Sequence, residues 1–227
     1  MRRLFFYRCV VMSESTLRIT EIFCSLQGET RTVGLPTVFI RLTGCPMRCV
    51  YCDTSYSFYG GETVKIDDIM AQTAGYGAKH VTVTGGEPLA QKRCFELLTR
   101  LCDEGYEVSV ETGGAMDISC ADPRACMVLD IKTPASGELA KNRWENIEYL
   151  KANDQVKFVI CDRQDYEWSR MKIEELALHD RVDEILFSPI HGQLDARELA
   201  EWILRDKLQV RFQLQLHKIL WDDAQGR

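Results

Sequence analysis

The chain has 227 residues, 45% hydrophobic and 27% charged, a balance that suits one globular unit with a sizeable core. A formal net charge of −6, with no Lys/Arg run longer than Arg2-Arg3, excludes a non-specific nucleic-acid binder, which needs a basic footprint. Ten irregularly spaced cysteines are too sparse for a disulfide scaffold, and no stretch reaches the ~18 apolar residues of a membrane span, so a cytoplasmic protein is expected.

In chain order, the apolar run of residues 1–12 is broken by Arg8 and is followed by no small-residue cleavage site. Residues 1–11 are therefore read as a disordered tail or an over-extended start, and 12–227 as one domain. Leu17 to Cys24 alternates apolar with polar residues, as a strand does, and leads into the polar loop Ser25-Leu-Gln27-Gly-Glu29-Thr30. A second strand, 37–42, is interrupted by Arg41, a charge that faces either solvent or a pocket partner, with Glu29 on the preceding loop within range. It runs straight into Cys45-Pro-Met-Arg-Cys49-Val-Tyr51-Cys52-Asp53-Thr54. After a short helix at 65–74, strands at 80–84, 107–111, 127–131, 155–160, 184–187 and 210–216 alternate with helices at 88–103, 139–150, 166–178 and 194–205. This alternation predicts an α/β fold with a parallel sheet.

Polar motifs stand where five of these strands end: Thr84-Gly-Gly-Glu87, Glu111-Thr-Gly-Gly114, Asp130-Ile-Lys132, Ser188-Pro189 and Gln215-Leu-His217. In barrel-type α/β folds the carboxyl ends of the strands build the site. With about six core strands after the cysteine loop and several short connections, a curled, incomplete TIM-like barrel fits better than a closed one.

The spacing C-x3-C-x2-C brings three thiolates together, one short of the four that a closed zinc site or an ordinary iron–sulfur cluster takes. A four-iron (4Fe–4S) cluster held this way keeps one iron open. A zinc site with a distant fourth ligand, or plain buried thiols, are the alternatives. Gly85-Gly86-Glu87-Pro88 leaves a strand and opens a helix. Its glycines let a ligand approach the backbone, and Glu87 offers an acceptor for a cationic group. The same four residues also serve as an ordinary turn with Pro in the first helical turn.

The cysteine triplet with Tyr51 before its last member resembles the signature of radical S-adenosylmethionine (SAM) enzymes, and Gly85-Gly86-Glu87 resembles their SAM-binding element. The resemblance implies that the open iron chelates SAM, which is cleaved to a 5′-deoxyadenosyl radical. A narrower resemblance covers the chain from Leu17 onward. The segments 25–30, 34–45, 52–54, 84–88, 110–114, 130–134 and 215–218 are similar to the 7-carboxy-7-deazaguanine synthase family of queuosine and 7-deazapurine biosynthesis. That family converts 6-carboxy-5,6,7,8-tetrahydropterin to 7-carboxy-7-deazaguanine with loss of ammonia, using SAM and Mg²⁺.

For this chain the resemblance implies cluster ligation by Cys45, Cys49 and Cys52, SAM binding by Tyr51, Gly86 and Glu87, and a Mg²⁺ contact from Thr54. It assigns the substrate to Gln27, Glu29, Arg41 and Thr84, whose donors, acceptors and guanidinium suit a carboxylated pterin. Glu111, Lys132 and Ser136 are candidates for SAM's ribose or carboxylate, and His217 for the substrate, with structural roles equally open. Asp53 and Thr54 also fit a simple turn cap. A homodimer and an electron donor such as flavodoxin are expected, with no nucleic-acid or membrane partner. The competing assignments are a radical SAM activase that makes a glycyl radical on a partner enzyme, and a non-enzymatic metal or electron-transfer protein. The set Gln27, Glu29 and Arg41 argues against the activase, because a protein substrate does not need it.

Overall fold

The computed structural model describes residues 15–222 and 224–227; the expectation for residues 1–11 lies outside them. Strands β1 (Thr16–Leu26) and β2 (Pro36–Leu42) pair antiparallel, and β3 (Glu62–Lys65) borders β1 at the sheet edge. Nothing in the pattern Glu-Thr-Val-Lys announced β3, which exists only because β1 offers it a free edge.

Beyond β2 the sheet is parallel: β4 (His80–Gly85), β5 (Glu107–Thr112), β6 (Cys126–Asp130), β7 (Gln155–Ile160), β8 (Glu184–Pro189) and β9 (Arg211–Phe212). The order β3-β1-β2-β4-β5-β6-β7-β8-β9 leaves both edges unjoined, so the barrel is open. Near-continuous apolar runs in β6, β7 and β8, and the buried Val/Thr alternation of β4, suit a parallel sheet covered on its outer face.

Helices α1 (Ile66–Gly75), α2 (Cys94–Asp103), α3 (Arg163–Glu175) and α4 (Ala196–Asp206) cover that face. In α2, Cys94, Leu97, Leu98 and Leu101 form a buried stripe at helical spacing against β4 and β5. In α4, Leu199, Trp202 and Ile203 do the same over the β7–β8 half of the core. Asp162 caps α3 through the Asp165 N–H at 2.9 Å, and Asp195 caps α4 through the Arg197 N–H at 2.8 Å. No described helix is long and apolar enough to cross a membrane.

Three segments differ from their periodicity, each for a tertiary reason. Residues 88–103 are not one helix: a 3-10 turn at Pro88–Ala90 stops before α2, because extended Gln91 stitches Arg18 N–H (2.8 Å), Arg18 C=O (2.9 Å) and Thr43 C=O (3.0 Å). Residues 139–150 form two 3-10 segments parted at Asn142, whose amide bonds the Lys132 N–H at 2.9 Å and C=O at 2.8 Å. The expected strand 210–216 keeps only Arg211–Phe212. Beyond it, Gln213 Nε2 and the Leu216 N–H both donate to Gly28 C=O, at 3.2 and 3.3 Å, and a short helix α5 (Leu216–Trp221) follows.

Candidate active site

The polar strand ends converge on the inner face of the open barrel. At one end lies the cysteine loop. None of Cys45, Cys49 and Cys52 is in a disulfide, and all three are partly exposed. Burial raises the pKa of Cys45 and lifts that of Cys49 to about 11, with the three sulfurs acting on one another and Lys132 opposing the rise. Among the described residues, the three thiols are not a set whose donor atoms all lie within 4.8 Å of one another. A single tetrahedral zinc ion with ~2.3 Å bonds requires sulfurs about 3.8 Å apart. A four-iron cluster takes one thiolate per iron corner, so three thiolates suit a cluster with one open iron.

The loop is held by backbone. Gly44 C=O accepts the Glu87 N–H at 2.8 Å, Leu42 C=O accepts the Gly86 N–H at 3.2 Å, and Ser136 C=O accepts the Val50 N–H at 3.1 Å. Gly86 is required here, because a Cβ would meet Gly44 O at 2.4 Å and Cys45 Cβ at 2.7 Å. Glu87 is fully buried and its carboxylate is spent inside the protein. It accepts from the Thr112 hydroxyl at 2.9 Å, the Gly113 N–H at 2.9 Å and the Leu89 N–H at 3.1 Å. Burial raises its pKa despite those donors. Any amino group arriving there meets the backbone of Gly85 and Gly86, with Glu87 holding that backbone against the Thr112 turn.

Ser136 is likewise occupied, donating to Thr133 C=O at 2.6 Å and accepting the Glu138 N–H at 3.1 Å. Tyr51 is half-buried, and among the described residues its hydroxyl has no hydrogen-bond partner. The Lys132 ammonium stands 6.0 Å from its ring and 3.1 Å from Asp130. Thr54 Oγ1 is 3.7 Å from Cys52 Sγ, and its side chain makes no capping bond to the turn that follows, so the simple cap is not formed.

The other end of the pocket is built from side-chain charges. Gln27, 1% exposed, is a hub beneath it. Its Oε1 accepts the N–H groups of Gly28 and Glu29 at 2.7 and 3.0 Å, and its Nε2 donates to Thr82 at 3.1 Å and Glu111 at 3.3 Å. Thr84 donates to the other Glu111 oxygen at 3.1 Å. Burial raises the Glu111 pKa, and the nearby Glu29 charge adds to the rise.

Glu29 pairs with Lys157 and accepts from Gln215 Nε2 at 3.1 Å, with His217 Nδ1 at 3.6 Å. Burial alone would raise the Glu29 pKa; Lys157 and His217 outweigh it and bring it to about 2. Burial opposes the charge on Lys157 too, and Glu29 and Asp130 restore it. His217 lies on α5 rather than late in a strand, and its Nε2 reaches Asp53 at 3.8 Å. Its pKa is raised, burial being overcome by Asp53 and Glu29. Glu29, Asp53 and His217 bring ligating atoms within 4.8 Å of one another.

Arg41 takes neither solvent nor Glu29, the neighbour that the adjacent loop made possible, as its partner; its Nε donates to Glu21 Oε1 at 2.7 Å. Lys157, Glu21 and Tyr56 are not among the candidates drawn from sequence, and Asp130 is there only as part of the strand-end motif Asp130-Ile-Lys132. For Lys157 a signal was present, a lone cation inside the apolar strand Gln-Val-Lys-Phe-Val-Ile, the same signal that singled out Arg41.

Residues 39–128 match the family model described as the Radical SAM superfamily. The 7-carboxy-7-deazaguanine synthase of Chlorobaculum tepidum is 43% identical over 94% of this chain and 99% of its own length. That of Koribacter versatilis is 39% identical over 90% of this chain and 97% of its own. The crystal structure of QueE from Escherichia coli has the same fold, with a TM-score of 0.67 at 23% identity over 88% of this chain and 94% of that one. Strand ends, cysteine loop and relatives agree, and the chain belongs to the 7-carboxy-7-deazaguanine synthase family of radical SAM enzymes.

Proposed function

We propose that this enzyme converts 6-carboxy-5,6,7,8-tetrahydropterin to 7-carboxy-7-deazaguanine with loss of ammonia, feeding queuosine and other 7-deazapurines. The observation that carries it is one pocket in which a guanidinium, Arg41, shares the inner face with Glu29, Glu111, Thr84 and Gln27, alongside the cysteine loop. Cys45, Cys49 and Cys52 would hold the 4Fe–4S cluster. SAM would lie along Gly86 and Tyr51, with Lys132 at its carboxylate or ribose and Glu111 on the far side. Glu87 and Ser136 act by shaping the backbone. The cluster with SAM bound supplies a 5′-deoxyadenosyl radical, the hydrogen-abstracting agent of the family.

In this reading Arg41 clamps the substrate carboxylate. Ionised Glu29 accepts from the pterin's amino and ring N–H groups, and Lys157 keeps it ionised. Gln27 fixes the loop that presents Glu29. His217, facing both Glu29 and Asp53, closes the substrate side from α5. Thr54 would offer one hard oxygen to Mg²⁺, a cation that favours such ligands. The domain, residues 12–227, would work as a cytoplasmic homodimer reduced by a carrier such as flavodoxin.

Anaerobic reconstitution tests the assignment. 7-Carboxy-7-deazaguanine and ammonia should appear together, only when the carboxylated pterin is present, and in excess over SAM consumed, because the net reaction is redox-neutral and SAM is recycled. SAM cleavage with no deazapurine product would refute it. Turnover should rise with Mg²⁺, and Thr54→Ala should blunt that rise while SAM affinity holds. Full stimulation in Thr54→Ala would remove the residue from the metal.

A further inference from the structure

Arg41 is oriented from behind. From Leu26 opposite Pro36 back to Glu21 opposite Arg41 the β1–β2 register is regular, then it slips by one so that Ile19 faces Leu42. Opposed residues of an antiparallel pair share a face, so regular pairing from Ile19 would set Thr20, not Glu21, beside Arg41. The bulge at Thr20 re-aims the strand, as bulges beside active sites do. Ile19 and Ile22 both then reach the outer core, and the two residues between them separate. Thr20 bonds Thr43 at 2.8 Å, and Glu21 turns to the inner face.

Glu21 Oε1 accepts Arg41 Nε at 2.7 Å and the Tyr56 hydroxyl at 2.8 Å. The guanidinium carbon lies 5.9 Å from each of the Phe23 and Tyr56 rings, and Phe23 is itself stacked on Phe39. Among the described residues, Nη1 and Nη2 take no hydrogen-bond partner. On the pocket side, Thr84 stands in register with Arg41 and bonds Glu111. One edge of the guanidinium is therefore spent on Glu21, and the terminal nitrogens, the part that grips a carboxylate in bidentate fashion, are left without a partner among the described residues.

We propose that Glu21, delivered by the bulge and buttressed by Tyr56, is a positioning residue that presets the Arg41 fork for the carboxylate of the bicyclic substrate. A long side chain loses rotamer freedom when it clamps a ligand, and the Glu21–Tyr56 brace removes that cost before substrate arrives. The inference rests on the assignment of Arg41 to the substrate carboxylate.

The test uses cluster-loaded enzyme with SAM bound, titrated with 6-carboxy-5,6,7,8-tetrahydropterin and, separately, with a tetrahydropterin lacking the carboxylate. Glu21→Ala should weaken the carboxylated ligand by about ten-fold in both KM and calorimetric Kd, with kcat within about two-fold. SAM affinity and the weaker binding of the non-carboxylated ligand should not move. Glu21→Gln keeps an acceptor for Nε and should recover most of the loss, while Glu21→Asp, too short to reach, should not. Tyr56→Phe should cost roughly two- to three-fold. In an Arg41→Ala background, Glu21→Ala should add nothing.

A persistent Glu21 effect without Arg41, or equal loss for both pterins, overturns the proposal. If Arg41→Ala weakens the carboxylated ligand and neither Glu21→Ala nor Glu21→Asp does, the clamp stands and the brace falls. If Arg41→Ala has no effect on that ligand, the clamp itself falls and the brace with it.

Discussion

The two ends of the pocket are built by different physics. Around the cysteines the chain is held by backbone hydrogen bonds and close glycine contacts: Gly86 against Gly44 and Cys45, Glu87 N–H on Gly44, Val50 N–H on Ser136. At the substrate end the backbone recedes and long-range side-chain pairs do the holding: Glu29 with Lys157, Arg41 with Glu21, His217 toward Asp53 and Glu29. Backbone bonds hold a loop whatever its charges, so the first end tolerates one chemistry shared across a superfamily. Buried ion pairs are costly to dismantle one partner at a time, so the second end holds a specific pattern of charge.

That contrast can be broken at either end. The largest effect is expected for Cys49→Ala, which should abolish iron–sulfur absorbance and SAM cleavage, while Cys94→Ala, buried in the α2 stripe, leaves both. Retained absorbance with full activity in Cys49→Ala would end the cluster assignment. At the other end, Lys157→Met strips Glu29 of its ammonium partner, while Asp130 keeps Lys132, and should cost roughly 3–5 kcal/mol in urea denaturation. A cost under about 1 kcal/mol would show that the pair is screened like a surface one.

The same pair sets an acid limb. The Glu29 pKa is held at about 2 against its ordinary 4.5, so its contribution is fully present above pH 4.5 and is lost as pH falls from there toward 2. Glu87 and Glu111, with raised pKa values, contribute in the opposite direction. Stability between about pH 3.5 and about pH 7 should therefore climb less steeply, or fall, in Lys157→Met than in the unaltered enzyme. Equal slopes would mean that Lys157 does not hold Glu29 ionised. The smallest change is expected for Gly86→Ala. It forces a Cβ onto Gly44 O and should cost about 1–3 kcal/mol, as overpacking does. Because the strain lands on the cysteine loop, SAM affinity should drop and pterin affinity should not. The reverse pattern would join the two ends into one unit.

Legibility followed the same division. The cysteine loop and Gly-Gly-Glu-Pro are contiguous motifs, so their chemistry could be read from spacing, and the apolar runs of β6, β7 and β8 marked the parallel sheet. Glu87 was legible as a motif residue but not as a buried one, because its partners Thr112 and Gly113 come from the next strand. Arg41 is conspicuous, yet its partner is not legible. Nearness along the chain favoured Glu29, whereas the sheet register and a bulge delivered Glu21. The residues Ile19-Thr-Glu-Ile22 carry that bulge as a break in period-two alternation, a signal too short to weigh without the neighbouring strand.

By itself, then, the sequence determined the fold class, the cluster loop and the strand ends that face the pocket, since these depend on local periodicity and on contiguous donors. Only the tertiary structure decided which charges neutralise one another and where Gln91, Asn142 and Gln213 cut short an expected helix or strand. Those outcomes turn on groups tens of residues apart. Burying a charge or a backbone carbonyl is favourable only once its partner has been brought to it.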